Sequence, residues 1–275
     1  MIPAKFDYQR ASSVDEAVSA LQQHGGEAKL LAGGHSLLPL MKLRLAVPAV
    51  LVDVGRLADL SYIRDSGDHV AIGALTRHRD LETSEVLQRH VPILAHTAHL
   101  VGDPQVRHRG TLGGTIAHGD PASDLPAVVL ALGGTLVARG PGGEREIPVT
   151  EFFKGFLETA LAEDEMLTEI RVPKVTGAGW SYQKFNRRAQ DWAIVGVAAV
   201  RNGITGISLV NMGATPVRAT AVEEALSGGA SVDDAAARAA EGCDPPADLN
   251  ASVEYRQHLA RVLVRRALEE CAARS

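Results

Sequence analysis

Two glycine-centred segments of this chain decide how the rest is interpreted: Ala32-Gly33-Gly34-His35-Ser36 and Thr111-Leu112-Gly113-Gly114-Thr115. Paired glycines let backbone N–H groups approach a ligand with no Cβ in the way, and consecutive amides can form a concave site for phosphate oxygens. The serine and threonine hydroxyls add further donors. Such a site binds a diphosphate with little help from Lys or Arg. Because the chain has 27 glycines, either pair alone is also explained as an ordinary turn.

The first segment belongs to a predicted strand, turn and helix. Lys29 to Ala32 predicts a short buried strand, and Ser36 is placed to cap a short helix that runs to Leu45. An earlier helix begins with a capping box at Ser13 and stops at Gly25-Gly26. Its apolar face recurs at helical spacing through Val14, Ala17, Val18 and Leu21.

The second segment is predicted to be another tight turn, over Gly110 to Thr115. The residues before it predict strands at Val50 to Asp53 and Val70 to Gly73, and one helix from Val86 to Val101. An apolar run from Leu125 to Leu132, compatible with a helix, follows it. Asp124 precedes that run, where it either caps the helix or accepts hydrogen bonds from a ribose or ring edge.

The last hundred residues predict an antiparallel meander followed by helices. The strands are Trp180 to Asn186, Ala193 to Arg201 and Ile204 to Val210, with Asn202-Gly203 as a hairpin turn. Lys184 lies within the first strand, where an isolated lysine is normally an exposed edge residue. The final helix, from about Ala251 to Ala273, is predicted to bury Tyr255, Leu259, Val262 and Leu263 on one face.

Composition and charge exclude several classes of protein. Lys and Arg number 28 against 33 Asp and Glu, giving a formal net charge of −5, so a binder that neutralises nucleic-acid phosphates is not expected. The longest apolar run, Leu125 to Ala138, is shorter than the ~20 residues that span a bilayer. The amino terminus does not resemble an export leader, so we expect a cytoplasmic protein without a transmembrane segment.

Other known chemistry-bearing motifs are absent from the sequence. It contains no G-x-G-x-x-G after a strand, no P-loop, no G-x-S-x-G and no H-E-x-x-H. Cys243 and Cys271 stand far apart and are predicted to be ordinary thiols. His96 and His99 share a helix face without a neighbouring ligand, which favours a solvated or packed pair over a metal site.

Taken together, the motifs strongly resemble the FAD-binding medium subunits of molybdenum hydroxylases, the family of aerobic carbon monoxide dehydrogenase and xanthine dehydrogenase. The resemblance is carried by AGGHSLLPLMK at residues 32–42 and TLGGTIAHGDPASD at residues 111–124. The segments 165–173 and 191–199 also look like that family, so the resemblance covers essentially the whole chain.

For the fold, the resemblance implies an α+β protein with two domains. Residues 1–173 would form a vanillyl-alcohol-oxidase-type FAD-binding domain, made of two α+β subdomains at about 1–57 and 58–173. Residues 174–275 would form a smaller flavoprotein domain of the carbon monoxide dehydrogenase type, with an antiparallel sheet and helices.

For the cofactor, the resemblance implies FAD, with the flavin carrying the redox chemistry and no catalytic side chain or metal ligand on this chain. Trp192 stands where relatives carry a Tyr or Phe beside the flavin ring, Val101 matches a position near that ring, and Leu112 and Thr115 replace the more usual Ile and Ser or Asn. The implied cofactor-binding residues are Leu30, Leu31, Ala32, Gly33, Gly34, His35, Ser36, Val101, Thr111, Leu112, Gly113, Gly114, Thr115, Asp124, Leu167, Lys184 and Trp192.

For partners, the resemblance implies a large molybdenum-binding subunit and a small subunit with [2Fe–2S] clusters, paired as a dimer of heterotrimers. This chain would receive electrons from the clusters and pass them to an external acceptor. Two alternatives are a stand-alone FAD oxidase or reductase with its own substrate pocket, and an assembly module in which FAD is structural. The hydroxylated substrate and the electron acceptor are left open.

Overall fold

The computed structural model describes residues 2–202 and 204–274. The chain begins with a small parallel sheet in the order β1-β3-β2. Helix α1 packs on this sheet, is capped by the Ser13 hydroxyl, which accepts from the Glu16 amide at 3.1 Å, and ends at Gly25, as predicted. The elements are β1 (Asp7–Arg10), α1 (Val14–His24), β2 (Ala28–Leu31), α2 (Leu37–Leu43) and β3 (Val50–Asp53).

An antiparallel sheet in the order β4-β5-β10-β6-β7 forms the centre of the molecule. Its elements and those around it are β4 (Ile63–Ser66), β5 (His69–Gly73), α3 (His78–Thr83), α4 (Glu85–His90), α5 (Pro92–His99), α6 (Pro104–Arg109), α7 (Leu112–His118), α8 (Asp124–Leu132), β6 (Thr135–Gly140), β7 (Gly143–Pro148), α9 (Val149–Phe152), β8 (Phe153–Gly155), β9 (Glu158–Thr159) and β10 (Met166–Pro173).

The remaining residues form another antiparallel sheet, in the order β11-β12-β13-β14, covered by α12. This confirms the predicted meander and, with the two other sheets, the α+β class. The predicted Asn202-Gly203 turn includes Gly203, which lies outside the described residues. The elements are β11 (Gly179–Phe185), β12 (Val195–Asn202), β13 (Ile204–Val210), β14 (Val217–Arg218), α10 (Thr220–Ser227), α11 (Val232–Ala237) and α12 (Val253–Ala273).

Helix α8 joins the two antiparallel sheets. All its residues are buried, since it contacts β10 on one side and β12 and β13 on the other. The contact with β13 is made at Gly206, where a Cβ would lie 2.0 Å from the carbonyl oxygen of Ala131. A glycine is therefore required at this point for the strand to reach the helix. In the part of the chain that the structure describes, no helix is long and apolar enough to cross a membrane.

The predicted single helix from Val86 to Val101 is wrong, because the structure divides it into α4 and α5. The division falls at Val91-Pro92. Proline lacks the N–H that a continuous helix would use at this position, and its ring clashes with the carbonyl four residues earlier. Pro92 instead begins α5, a position where the missing N–H costs nothing. Val101 therefore lies in the loop beyond α5.

The predicted turn at Gly110 to Thr115 is also wrong, because Gly113 and Gly114 form the first turn of α7. Thr111 caps the helix, and the Gly113 amide donates to the carbonyl of Ala74 at 2.8 Å. A Cβ on Gly113 would lie 2.5 Å from the Cβ of Ala74. Gly113 is therefore required because α7 passes close to Ala74, and not because the chain changes direction here.

The buried face of α12 is rotated from the predicted one. Tyr255 is exposed and Val262 only half-buried, whereas Leu259 and Leu263 are buried as predicted. Arg256 is fully buried in place of the tyrosine. Its guanidinium donates to the carboxylate of Asp248 at 2.8 Å and to the carbonyl of Ile194, so the charge is compensated inside the fold.

The Gly206 contact yields a stability prediction. We expect Gly206→Ala to lower the free energy of unfolding by about 1–3 kcal/mol, because the added methyl group overlaps a carbonyl oxygen of α8. Urea unfolding followed by circular dichroism measures the change. Gly142→Ala is the matched control, since a Cβ there meets no atom within 4 Å. Equal stability of the two variants would contradict the close contact.

Candidate cofactor site

A cavity of about 950 Å³ lies where the first sheet, the central sheet and β11 meet. Its wall includes the carboxyl end of β2, which is where ligands bind parallel sheets. The two glycine segments come together here: a Cβ on Gly114 would lie 3.9 Å from the Cβ of Ala32, and a Cβ on Gly33 would lie only 2.3 Å from the carbonyl oxygen of Arg109, two residues before Thr111. The size is within the range of small-molecule and cofactor sites.

The first glycine segment and Leu37 line this cavity. The N–H groups of residues 33–37 donate to no acceptor among the described residues. Gly34 adopts a left-handed conformation, with φ of +79°, which favours glycine. The Ser36 hydroxyl has no hydrogen-bond partner within the described chain either, and it does not cap α2 as predicted. Consecutive unsatisfied amides beside a glycine in this conformation form a cradle suited to an anion.

The backbone amides of the second glycine segment donate hydrogen bonds to other groups of the protein. Leu112 donates to the carbonyl of Thr76 at 3.0 Å, Gly113 to that of Ala74 at 2.8 Å, and Thr115 to that of Thr111 at 3.0 Å. The Gly114 amide donates to the Thr111 hydroxyl at 3.1 Å. This segment therefore lines the cavity with threonine hydroxyl groups and with backbone whose amides are already hydrogen-bonded.

His78 supports the second segment from inside the fold. It is 3% exposed, lines the cavity and places Nε2 3.0 Å from the hydroxyl oxygen of Thr115. Burial lowers the pKa of His78 to about 4, so the ring is neutral near pH 7. Sequence reasoning missed this residue because no motif surrounds it. An isolated antiparallel β-bridge pairs Arg77 with Thr111 and so places the neighbouring His78 at the site.

Asp124 and Lys184 form a buried ion pair in another part of the wall. Lys184 Nζ donates to Asp124 Oδ2 at 2.8 Å and to the carbonyl of Leu100 at 3.1 Å, and both side chains are 7% exposed. The Tyr182 hydroxyl donates to Asp124 Oδ1 at 2.5 Å. Burial raises the pKa of Asp124, while Lys184 and Tyr182 oppose that rise. Lys184 is thus not an exposed edge residue, and Ser123, not Asp124, occupies the capping position of α8.

Trp192 lies at the opening of the cavity, 56% exposed. The preceding loop is held by Arg188, which donates to both carboxylate oxygens of Asp191 at 3.0 and 3.1 Å. After the tryptophan, the carbonyl of Ala193 accepts from the Asn211 side chain at 2.9 Å. The indole therefore sits between two anchored points of the chain.

The structure brings most of the sequence-predicted site residues to this one cavity. Leu112 and Leu167 are the exceptions, since their side chains are buried in the core beside the site. Lining residues that the sequence did not single out include His78, Leu75, Val54 and Met166. The predicted residues in the lining are Leu30, Leu31, Ala32, Gly33, Gly34, His35, Ser36, Val101, Thr111, Gly113, Gly114, Thr115, Asp124, Lys184 and Trp192.

The two histidines and two cysteines set aside by sequence reasoning lie elsewhere. His96 packs at a tilt on the Trp180 ring, with centroids 5.3 Å apart, and His99 lies 2.8 Å from the carboxylate of Glu82. Burial raises the pKa of Cys243 to about 11 and that of Cys271 to about 12. Neither thiol is activated as a nucleophile or ligand at neutral pH.

Two family descriptions match consecutive parts of the chain. "FAD binding domain in molybdopterin dehydrogenase" matches residues 4–175, and "CO dehydrogenase flavoprotein C-terminal domain" matches residues 180–271. The cavity fits this cofactor, because the amide cradle at residues 33–37 suits a diphosphate and the volume suits a large cofactor.

Individual relatives match over their full length. The carbon monoxide dehydrogenase medium chain of Hydrogenophaga pseudoflava is 44% identical, covering 100% of this chain and 99% of that one. The glyceraldehyde dehydrogenase medium chain of Sulfolobus acidocaldarius is 38% identical, covering 99% and 100%.

Solved structures show the same fold. The carbon monoxide dehydrogenase structure from Hydrogenophaga pseudoflava superimposes with a TM-score of 0.96 at 46% identity, covering 100% of this chain and 99% of that one. The quinoline 2-oxidoreductase structure from Pseudomonas putida 86 gives 0.92 at 30% identity, covering 99% of each chain.

The neutral state of His78 predicts a pH-dependent stability. The pKa of His78 is lower in the folded chain than the ordinary 6.5. As the pH falls, the unfolded chain therefore binds a proton at His78 before the folded chain does, and the folded state loses stability. Between pH 7.5 and 4.5 we expect His78 to account for a loss of about 2–3 kcal/mol in the free energy of unfolding. Urea unfolding across this range should show a weaker pH dependence for His78→Gln. The exposed His108→Gln control should retain the full dependence, and identical curves for the two variants would contradict the assignment.

Proposed function

The chain belongs to the FAD-binding medium subunits of the molybdenum hydroxylases, and we propose that it passes electrons from the iron–sulfur clusters of a partner subunit to an external acceptor. It is an oxidoreductase subunit, and FAD is its cofactor. The observation that carries the proposal is the run of unsatisfied amides at residues 33–37 on the cavity wall. Bound FAD supplies the capacity to take up and release electrons.

We propose that the chain's own residues bind and orient FAD in two ways. The amides of residues 33–37, with the hydroxyls of Ser36 and Thr115, would hold the diphosphate. Asp124, Lys184, Val101 and Trp192 would surround the flavin, with Leu167 supporting it from the core. Because Thr111 to Thr115 uses its amides internally, its proposed contribution is through hydroxyls and shape.

The proposed partners follow from what this chain does not supply. A [2Fe–2S] cluster held by thiolates needs four cysteines, and the sequence has two. Across residues 2–202 and 204–274, no group of three or more His, Cys, Asp or Glu residues is placed to hold a metal ion. The relatives carry the names of medium chains. We therefore propose a large molybdenum subunit and a small iron–sulfur subunit, assembled as a dimer of heterotrimers, with the substrate chosen by the large subunit.

The Ser36 hydroxyl gives a test of the cofactor cradle. We expect Ser36→Ala to weaken FAD binding about tenfold, because it removes a donor that has no other task in the described chain. Thermal unfolding of the FAD-free chain should stay unchanged, since this hydroxyl caps no helix. Fluorescence titration with FAD measures the affinity.

Ser227→Ala is the control for that titration, because its exposed hydroxyl donates to a helix carbonyl far from the cavity. Equal FAD affinity of the two serine variants would place the diphosphate elsewhere.

The electron-transfer role is tested on the native complex. We expect gentle purification to yield this chain with FAD, iron–sulfur absorbance, molybdenum and two partner chains, and we expect substrate to reduce the FAD rapidly. If the chain elutes alone with FAD and oxidises a small molecule by itself, the stand-alone flavoenzyme replaces this proposal. If substrate reduces the clusters but not the FAD, the cofactor is structural and the electron-transfer role is refuted.

A further inference from the structure

Tyr182 lies behind the cofactor cavity and is absent from its wall. It is 5% exposed and precedes Lys184 by two residues on β11, so both side chains extend from the same face of the strand. Its hydroxyl donates to Asp124 Oδ1 at 2.5 Å. Among the described residues, Asp124 is the hydrogen-bond partner of this hydroxyl, so the tyrosine acts on the cofactor site through that carboxylate.

This hydrogen bond completes a buried polar network. Asp124 Oδ2 accepts from Lys184 and Oδ1 accepts from Tyr182, so each carboxylate oxygen has one donor. Two of the three N–H groups of Lys184 donate to Asp124 and the Leu100 carbonyl, which leaves one for the cavity that the lysine lines. A buried ion pair is tolerated only when its remaining hydrogen-bonding groups are satisfied. Without Tyr182, Oδ1 loses its donor and the carboxylate loses its fixed orientation.

The neighbouring strand leaves room for the tyrosine hydroxyl. Gly196 on β12 pairs with Lys184, and a Cβ at Gly196 would lie 3.1 Å from the Tyr182 hydroxyl oxygen and 3.0 Å from the Cβ of Val210. Any larger residue at Gly196 would press against the hydroxyl that binds Asp124. The position of the Tyr182 hydroxyl thus depends on a second strand as well as its own.

We propose that Tyr182 is a positioning residue for the cofactor: it fixes the Asp124 carboxylate opposite Lys184 and so sets the charge that FAD meets at this part of the cavity. The inference rests on the proposed placement of FAD beside Asp124 and Lys184. The phenol O–H also draws negative charge on Asp124 away from the cavity. Because Lys184 donates to Asp124 at 2.8 Å and favours its charged form, loss of the phenol O–H leaves an ionised carboxylate with more negative charge toward the cavity, which opposes the uptake of electrons by the cofactor.

The test is the reduction potential of FAD bound to the full-length chain carrying Tyr182→Phe. We expect the equilibrium constant for two-electron reduction to fall about tenfold, a decrease of about 30 mV in potential. Tyr62→Phe is the matched control, because Tyr62 also donates to a carboxylate at 2.6 Å, but that carboxylate belongs to Glu169, which does not line the cavity as Asp124 does. Its potential should equal that of the wild type. An unchanged or raised potential in Tyr182→Phe overturns the inference.

Two further variants separate charge positioning from general damage. In an Asp124→Asn background, Tyr182→Phe should no longer shift the potential, because the charge through which it acts is gone. A shift that persists there overturns the inference.

Gly196→Ala displaces the Tyr182 hydroxyl without removing it, so it should also lower the potential. This variant provides the test if Tyr182→Phe does not fold. If the wild-type chain binds no FAD, the proposed function itself fails; if it binds FAD and the variants leave the potential unchanged, only this inference fails.

Discussion

The site depends on the close backbone contact between the first glycine segment and Arg109, which lies two residues before the second segment. Gly33 lies against the carbonyl of Arg109, at a distance where any Cβ would overlap the oxygen. Gly113 makes a comparable approach to Ala74, which joins α7 to the end of β5. These contacts bring the parallel sheet, α6, α7 and the end of β5 together around one cavity. Larger residues at these positions would push the walls of the cavity apart.

The two segments contribute differently despite their similar sequences. The N–H groups of residues 33–37, which line the cavity, have no acceptor among the described residues, and this is unusual for backbone N–H groups in a folded chain. The second donates its amides to Ala74, Thr76 and Thr111, and so fixes the position of α7. One segment therefore supplies hydrogen-bond donors, and the other supplies a rigid surface with hydroxyl groups. Preorganisation of this kind lowers the cost of ordering the site when the cofactor binds.

Buried polar groups around the cavity are held in defined charge states by their surroundings. His78 is kept neutral because burial disfavours its cation, so it supports Thr115 without adding positive charge. Asp124 and Lys184 compensate each other, while Tyr182 donates to Asp124 and the Leu100 carbonyl accepts from Lys184. The cavity wall thus carries a charged pair in one part and neutral donors in another. Such an environment is how a protein tunes a flavin while leaving the redox chemistry to it.

The sequence by itself determined most of the local structure and the family. Capping residues and apolar periodicity gave α1 and the strands of the meander, and the glycine motifs marked the residues that line the cavity. Tertiary structure decided which amides are free, where His78 lies, and that Lys184 is buried and paired. The reason is physical: caps and periodicity act between residues a few positions apart, whereas Ala74, Leu100 and Tyr182 meet their partners only after distant segments have packed together.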